Sequence, residues 1–344
     1  MRVNHYSFEL PFRYPFTISK GTKRVQPTFI VALETMGLTG FGEAPAISYY
    51  HIPVSKMVSD LESKRIFIEK FAFTEPERYW HYLHHLFPDN SFLVCALDMA
   101  AWDLFGKLKR KPLYELWNLD PQKTITTDYT IGIDTIEKMI NKMKENPWPI
   151  YKIKLGTPDD LEIMRELRNH TKSAFRIDVN GGWTLEQAIE RIPLLKKLGV
   201  ELIEQPLPKD DWESMQKLFE RSSLPLIADE SCVKESDLAV CRKCFHGINI
   251  KLTKCAGITP ARRMIADARK MGQQIMLGSM NESSIGSSAL AHLSPLADWL
   301  DMDGPLLLSK DIATGLSFAS GRPVLKHDAG LGVEYKGWED GIVS

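Results

Sequence analysis

Several features that would decide the class of a protein are missing from this 344-residue sequence. It carries no charge bias, with 43 Lys+Arg against 44 Asp+Glu and a formal net charge of -1. Composition therefore offers no footprint for nucleic acid or for an anionic membrane, and neither is expected as a partner. No apolar run is long enough to span a bilayer. The start, Met1-Arg-Val-Asn-His-Tyr-Ser, lacks the basic segment, apolar core and small-residue cleavage site of a signal peptide. Cysteine is scarce and odd in number, five in all, which suits a reducing compartment, and a cytoplasmic location is expected. Cys241-x-x-Cys244-Phe-His246 is not a haem motif, which needs His directly after the second Cys. It also lacks a second pair at zinc-site spacing, so it reads as structural. No histidine closes a strand-like run, and His292 falls inside a helical stretch.

What is present is a core-forming composition, 44% hydrophobic and 25% charged, in a chain whose texture changes twice. From Arg2 to about Gly42 it is β-rich, with alternating segments around Val3 to Leu10 and Phe29 to Leu33 flanking the basic loop Ser19-Lys20-Gly21-Thr22-Lys23-Arg24. From Pro53 to Asn118 the apolar residues recur at helical spacing, clearest from Phe92 to Lys107, where Asp98 and Asp103 read as paired or cap-forming residues. This first part is an α+β unit.

After Pro121 short apolar runs alternate with amphipathic helical stretches. The runs are Thr126 to Ile133, Tyr151 to Leu155, Phe175 to Val179, Leu202 to Gln205, Leu226 to Ala228, Ile248 to Leu252, Gln274 to Leu277 and Trp299 to Met302. Helices are predicted between them, including Pro260 to Met271 and Ser287 to Leu293. Eight strands joined by helices predict an α/β fold, a parallel TIM-type barrel. The expected division is a capping domain over 1-122, a barrel over 123-309 and a glycine-rich segment, 310-344, that returns to the cap.

A barrel opens to substrate at the carboxyl ends of its strands, so a charge closing an apolar run is informative there. The ends read Lys152-Ile-Lys154, Ile177-Asp178-Val-Asn180, Ile203-Glu204-Gln205-Pro206, Ala228-Asp229-Glu230-Ser231, Asn249-Ile-Lys251 and Asp301-Met302-Asp303. Their spacing is regular: 178 − 154 = 24, 204 − 178 = 26, 229 − 204 = 25 and 251 − 229 = 22. Three successive carboxylates converging in a barrel mouth repel one another unless a cation neutralises them. Oxygen-only ligands favour a hard ion, so Asp178, Glu204 and Asp229 are candidate ligands of one Mg2+ per chain.

Lys152 and Lys154 share a strand face, because side chains alternate with period two, and each disfavours protonation of the other. Lys154 before the triad and Lys251 after it are placed to act on opposite sides of a substrate α-carbon. Such a proton is weakly acidic, and its removal by an amine requires stabilisation of an enediolate, from the metal and from Lys152 beside the substrate carboxylate.

These motifs together resemble the enolase superfamily, specifically its muconate-lactonizing subgroup, over nearly the whole chain. The resemblance implies a modified (β/α)7β barrel with an N-terminal α+β capping domain. Asp301-x-Asp303 is similar to the eighth-strand motif of the dipeptide epimerases, where the pair holds the ammonium group of a dipeptide. Gly278-Ser-Met280-Asn-Glu282-Ser is similar to their seventh-strand segment, which brings Met280 to the substrate. The implied activity is 1,1-proton transfer on L-Ala-D/L-Glu or a related short peptide, including muropeptide fragments, with a dipeptide of hydrophobic second residue as the alternative. By the same resemblance, the loop after Pro15-Phe16 meets the side chain of the second substrate residue. The arginine of glutamate-specific members falls by count at Gly21, with Lys20, Lys23 and Arg24 nearby, and Arg24 is the expected cation there. A cycloisomerase or o-succinylbenzoate synthase would use the same lysines and metal, but two carboxylates at Asp301 and Asp303 would repel its dianionic substrate. A sugar-acid dehydratase would need a strand-end histidine, and a catalytically silent metal-binding scaffold would not need both lysines. A symmetric homo-oligomer is expected, as is usual for barrel enzymes.

Overall fold

The computed structural model describes residues 1-18 and 21-338. Ser19 and Lys20 of the basic loop, and the last six residues of the segment expected to return to the cap, lie outside them.

Three antiparallel strands open the chain, β1 (Arg2–Ile18), β2 (Gly21–Thr35) and β3 (Leu38–Pro45), in that order across one sheet. Four helices follow: α1 (Val54–Lys70), α2 (Pro76–Leu86), α3 (Ser91–Lys109) and α4 (Leu113–Leu116). The middle of β2 is apolar without alternation because both of its faces are covered. Phe29, Val31 and Leu33 pack with Leu61, Leu93 and Leu97 of the helices, whereas Ile30 joins Phe8, Leu10 and Phe12 in the core shared with the barrel. Helix α3 lies hard against β3, where a Cβ on Gly42 would stand 1.9 Å from the carbonyl oxygen of Ala96 and one on Gly40 2.2 Å from that of Ala100.

The barrel strands are β4 (Tyr129–Ile131), β5 (Ile150–Lys154), β6 (Ala174–Asp178), β7 (Val200–Glu204), β8 (Leu226–Ala228), β9 (Gly247–Ile250), β10 (Gln274–Gly278) and β11 (Trp299–Asp301). They are parallel neighbours in sequence order, and a bridge between Thr127 and Leu300 brings the first back to the last. Between them run α5 (Ile136–Glu145), α6 (Asp160–His170), α7 (Leu185–Lys197), α8 (Trp212–Phe219), α9 (Leu238–Cys244), α10 (Leu252–Cys255), α11 (Ile258–Lys270) and α12 (Ser284–Leu293). Among the described residues the only helix after β11 is the four-residue α13 (Gly304–Leu307), so there the eighth unit has no full helix. Several helices start on local caps, such as Thr135 on α5 and the reciprocal Thr184–Gln187 box on α7.

Helices α11 and α12 also receive carboxylates from the first sheet-and-helix unit at their starts, α12 in addition to its own Ser283 cap. Asp98 on α3 accepts from the backbone N–H and hydroxyl of Thr259, at 2.9 and 2.7 Å. Glu43 on β3 accepts from the N–H and hydroxyl of Ser283, at 3.0 and 2.6 Å, and from the N–H of Gly286 at 2.9 Å. Burial raises Asp98 to about 7, against the hydrogen bonds from Thr259. The cap is thus bonded to the helices that follow β9 and β10, the strands that lead to Lys251 and Met280. Asp103 receives the N–H groups of Phe41 and Leu331 and pairs with Lys107 at 2.7 Å. The C-terminal segment also packs on this unit through Tyr335 stacked on Phe41, their centroids 4.8 Å apart.

Candidate active site

Register places the site. Lys154 pairs with Asp178, and Asp178 with Glu204, so three charged groups stand at one level of the barrel. Alternation sends Arg176 and Asp178 inward, while Phe175 and Ile177 join the core beneath the helices. Below the charged level, Leu202, Ile227 and Met276 close the interior as a small apolar cluster.

Asp178, Glu204 and Asp229 each offer a ligand oxygen within 4.8 Å of the others, and all three are buried. Residues beyond the ligands aim them. Asn180, in the left-handed region at φ 50°, donates its N–H to Asp178 Oδ1 at 3.0 Å. Asn249 Nδ2 donates to Glu204 Oε1 at 2.8 Å, in a space kept open by Gly278, whose Cβ would stand 2.4 Å from the Asn249 amide oxygen. Gln205, at φ 36°, accepts from the N–H groups of Asp229 and Ser231 and donates to the Ser231 hydroxyl, tying the ends of β7 and β8 together. The consecutive polar residues of the strand-end motifs are therefore the converging carboxylates and the groups that hold them.

The four nearby lysines divide by contact. Lys154 Nζ lies 2.6 Å from Asp178 Oδ2, and Lys251 Nζ lies 2.9 Å from Asp229 Oδ2, so the two grip opposite members of the triad. Lys152 is deeper, its side chain 1% exposed, at 2.6 Å from Glu204 Oε2, 2.6 Å from Asp301 Oδ2 and 3.3 Å from Asp178 Oδ2. It was expected to touch the substrate carboxylate directly, yet it does not line the cavity and instead bridges carboxylates beneath it. Lys254, which sequence reasoning missed, donates to both Asp229 and Asn249. Burial opposes ionisation of Asp178, but Lys154 and Lys152 outweigh it and hold the group at about 2. Glu204, where burial and then Asp178 dominate, is raised to about 7. Burial would lower Lys251, but Asp229 and Glu204 raise it above its ordinary value.

The triad fits a hard divalent cation on three grounds. Its donors are all oxygen, they converge, and Glu204 Oε2 is buried with no hydrogen-bond partner, since Lys152 approaches it outside hydrogen-bonding geometry.

Above the triad is a cavity of about 260 Å³. Its barrel side is walled by Lys154, Asp229, Lys251, Met280, Asp301 and Asp303, and its cap side by Phe16, Ile18, Lys23, Ile47, Tyr49 and Tyr50. Asp301 and Asp303 form a second carboxylate group with buried Asp128. Asp128 is held by Arg176 at 3.0 Å, and Asp303 by the N–H of Thr130 at 2.6 Å. Burial opposes Asp301 ionisation, but Lys152 and Lys154 keep it below the ordinary carboxylate range. Asp303, raised by burial and by Asp301, sits at about 7.

Arg24 is a correction. It is exposed and does not wall the cavity, whereas Gly21, Thr22 and its neighbour Lys23 at the start of β2 do. Cys241 and Cys244 are buried free thiols, with Cys241 donating to the Ser231 carbonyl at 3.4 Å. His292 is a buried structural residue that accepts from the Tyr114 N–H at 3.2 Å, and burial lowers it to about 4.

A cap seated on a parallel barrel whose strand ends converge three carboxylates between two lysines defines a class, that of enzymes built to move protons at carbon beside a metal-bound anion. Residues 2–117 match the mandelate racemase / muconate lactonizing enzyme N-terminal domain, and residues 135–340 match the enolase C-terminal domain-like family. The chain belongs to this enolase superfamily. It is 49% identical over 333 residues to the L-Ala-D/L-amino acid epimerase of Flavobacterium johnsoniae, covering 97% of this chain and 99% of the relative. The structure superposes at TM-score 0.91 and 27% identity on the substrate-liganded L-Ala-D/L-Glu epimerase of Bacillus subtilis, covering 97% and 98% of the two chains. At TM-score 0.89 and 26% identity it matches the dipeptide epimerase of Methylococcus capsulatus complexed with Mg and L-Arg-D-Lys, covering 97% and 99%.

Proposed function

We propose that the chain is a Mg2+-dependent dipeptide epimerase, an isomerase that transfers a proton at the α-carbon of the second residue of an L-Ala-D/L-Glu or related dipeptide. The observation that carries this is one cavity walled by Lys154, Lys251 and the Asp301–Asp303 pair. Asp178, Glu204 and Asp229 would hold the ion, which when bound supplies Lewis-acid stabilisation of the negative charge that grows on the substrate carboxylate. Lys154 and Lys251 would stand on opposite faces of the α-carbon, one removing the proton as the free amine and the other delivering one as the ammonium. Reversing direction exchanges their roles. Lys152 adds a fixed cation beneath the reacting carboxylate by holding Glu204, Asp178 and Asp301. Asp301 and Asp303 receive the dipeptide ammonium. Two carboxylates in that place disfavour the dianionic substrate of a cycloisomerase or o-succinylbenzoate synthase.

The second side chain meets Phe16, Ile18 and Ile47 with Lys23 among them, a wall that accommodates an apolar side chain and offers one cation to an acidic one. The name of the Flavobacterium johnsoniae relative, an L-Ala-D/L-amino acid epimerase, accords with that breadth.

We propose that residues 1-122 act as the cap, 123-309 as the barrel and 310-344 as a strap back to the cap. Among the described residues no helix is long and apolar enough to cross a membrane. The five free cysteines support a cytoplasmic location, and a homo-oligomer is the assembly proposed.

The test is a library of L-Ala-X dipeptides in heavy water with Mg2+, read by mass spectrometry for deuterium at the second α-carbon. Free dipeptides are expected to exchange, and their N-acetylated counterparts, which lack the ammonium, to exchange far more slowly. Exchange confined to the acetylated set, or turnover of o-succinylbenzoate precursors with no dipeptide exchange, removes this reading.

A further inference from the structure

The strand end Asn249-Ile-Lys251-Leu-Thr-Lys254 carries two lysines, and only one of them faces the cavity. Lys251 walls it, whereas Lys254, 3% exposed, does not. Helix α10 turns the chain so that Lys254 Nζ comes back beneath β8. There it donates to Asp229 Oδ1 at 2.6 Å, to the Asp229 carbonyl at 2.6 Å and to the Asn249 carbonyl at 2.9 Å. An ammonium has three protons, and all three are directed at these acceptors. Lys254 therefore has none directed at a substrate and is a positioning residue.

Its effect falls on Asp229. One carboxylate oxygen, Oδ1, is engaged by Lys254 from behind, while the other, Oδ2, turns to Lys251 at 2.9 Å on the cavity side. Each carboxylate oxygen has two lone pairs and accepts one ammonium bond here, so what distinguishes Oδ2 is its side: it meets Lys251, which walls the cavity, whereas Oδ1 meets Lys254, which does not. Asn249 links the same support to a second ligand, since its carbonyl accepts from Lys254 and its side-chain amide donates to Glu204 Oε1. Mg2+ requires near-octahedral geometry at short distances, whereas Ca2+ accepts bidentate carboxylates in larger, looser shells.

We infer that Lys254 commits Asp229 to ligate the ion through Oδ2 alone, and so sets the preference of the centre for Mg2+ over a larger divalent cation. This rests on the reading of Asp229 as a metal ligand.

Two measurements test it. In a crystal structure of the wild-type protein grown with Mg2+, Asp229 is expected to ligate through Oδ2 only, with Lys254 still on Oδ1. Ligation through Oδ1, or by both oxygens, overturns the inference. By isothermal titration with Mg2+ and with Ca2+, Lys254→Met is expected to bind Mg2+ about ten- to a hundred-fold more weakly, the usual effect of removing a ligand's support, and to lose less for Ca2+. Lys254→Gln, which keeps a donor but not the charge, is expected to shift the ion preference in the same direction and decides the matter if the Met variant does not fold. A Mg2+ affinity within two-fold of wild type, or equal losses for both ions, overturns the inference. If the wild-type protein binds no Mg2+, the metal reading itself fails, an outcome these measurements separate from a Lys254 without influence.

Discussion

Replacing either Lys154 or Lys251 with Ala is expected to abolish epimerisation while leaving half of the chemistry in place. Each lysine is assigned one face of the α-carbon, so neither variant can complete a transfer that needs both. The lysine that is left can still remove and return a proton on its own face. Lys154→Ala is therefore expected to exchange the α-hydrogen of one enantiomer with heavy water, and Lys251→Ala that of the other. General acid or base catalysis contributes about 10²–10⁴-fold, and the loss of epimerisation is expected to reach at least that range. NMR of the α-proton with each pure diastereomer separates exchange from inversion. A variant that epimerises at the wild-type rate removes that lysine from the mechanism. Exchange of the same enantiomer by both variants contradicts their opposite placement, which rests on Lys154 gripping Asp178 and Lys251 gripping Asp229.

Metal removal is the second large effect. After dialysis against a chelator the protein is expected to lose epimerase activity and to recover it on addition of Mg2+. Glu204→Gln is expected not to recover. A Lewis acid is worth several kcal/mol of transition-state stabilisation, and about 1.4 kcal/mol is tenfold in rate, so the expected loss is about a thousand-fold or more. Glu204 is the informative position because, of the three proposed ligands, it has the carboxylate oxygen, Oε2, that is buried without a hydrogen-bond partner. If Glu204→Gln binds Mg2+ and turns over as the wild type does, that oxygen is not a ligand. Near-ultraviolet circular dichroism of the variant keeps loss of fold apart from loss of metal.

The barrel was legible because its strand ends break a simple rule: an apolar run closes on a charge, once per unit, at nearly constant spacing. Register then brought Lys154, Asp178 and Glu204 to one level, as period-two alternation and a shared strand length require. Two helices were predicted too short at their starts. Helix α11 begins at Ile258 and α12 at Ser284, ahead of the predicted Pro260 and Ser287. Their first turns bond to Asp98 and Glu43 of the cap, about 160 and 240 residues away in sequence, and these contacts no local pattern records, although the Ser283 cap of α12 is itself a local signal.

The cap loop was the least legible part. Counting along it from Pro15-Phe16 selects Arg24, but the residues of β2 that wall the cavity are Gly21, Thr22 and Lys23. Lys152 shared a face with Lys154 as alternation demands. Sequence could not give its partners, since Asp301 and Glu204 come to it only when the barrel closes. Asn249 and Lys254 had a signal, the first by its period-two relation to Lys251 and the second as the other lysine of Lys251-x-x-Lys254. Tyr50 had none, since it reaches the cavity only through the seating of the cap on the barrel.

The central claim is that two lysines work from opposite sides of one carbon, and early-time isotope incorporation with the wild-type protein tests it most directly. A single diastereomer of L-Ala-X is incubated in heavy water with Mg2+, and substrate and product are separated before a tenth of the substrate has reacted. Two opposed bases predict product that carries deuterium at the α-carbon from the first turnovers, while the recovered substrate gains deuterium only through return from its own lysine and so carries less. Product that retains the substrate's own hydrogen would mean one group serving both faces, and would contradict the account.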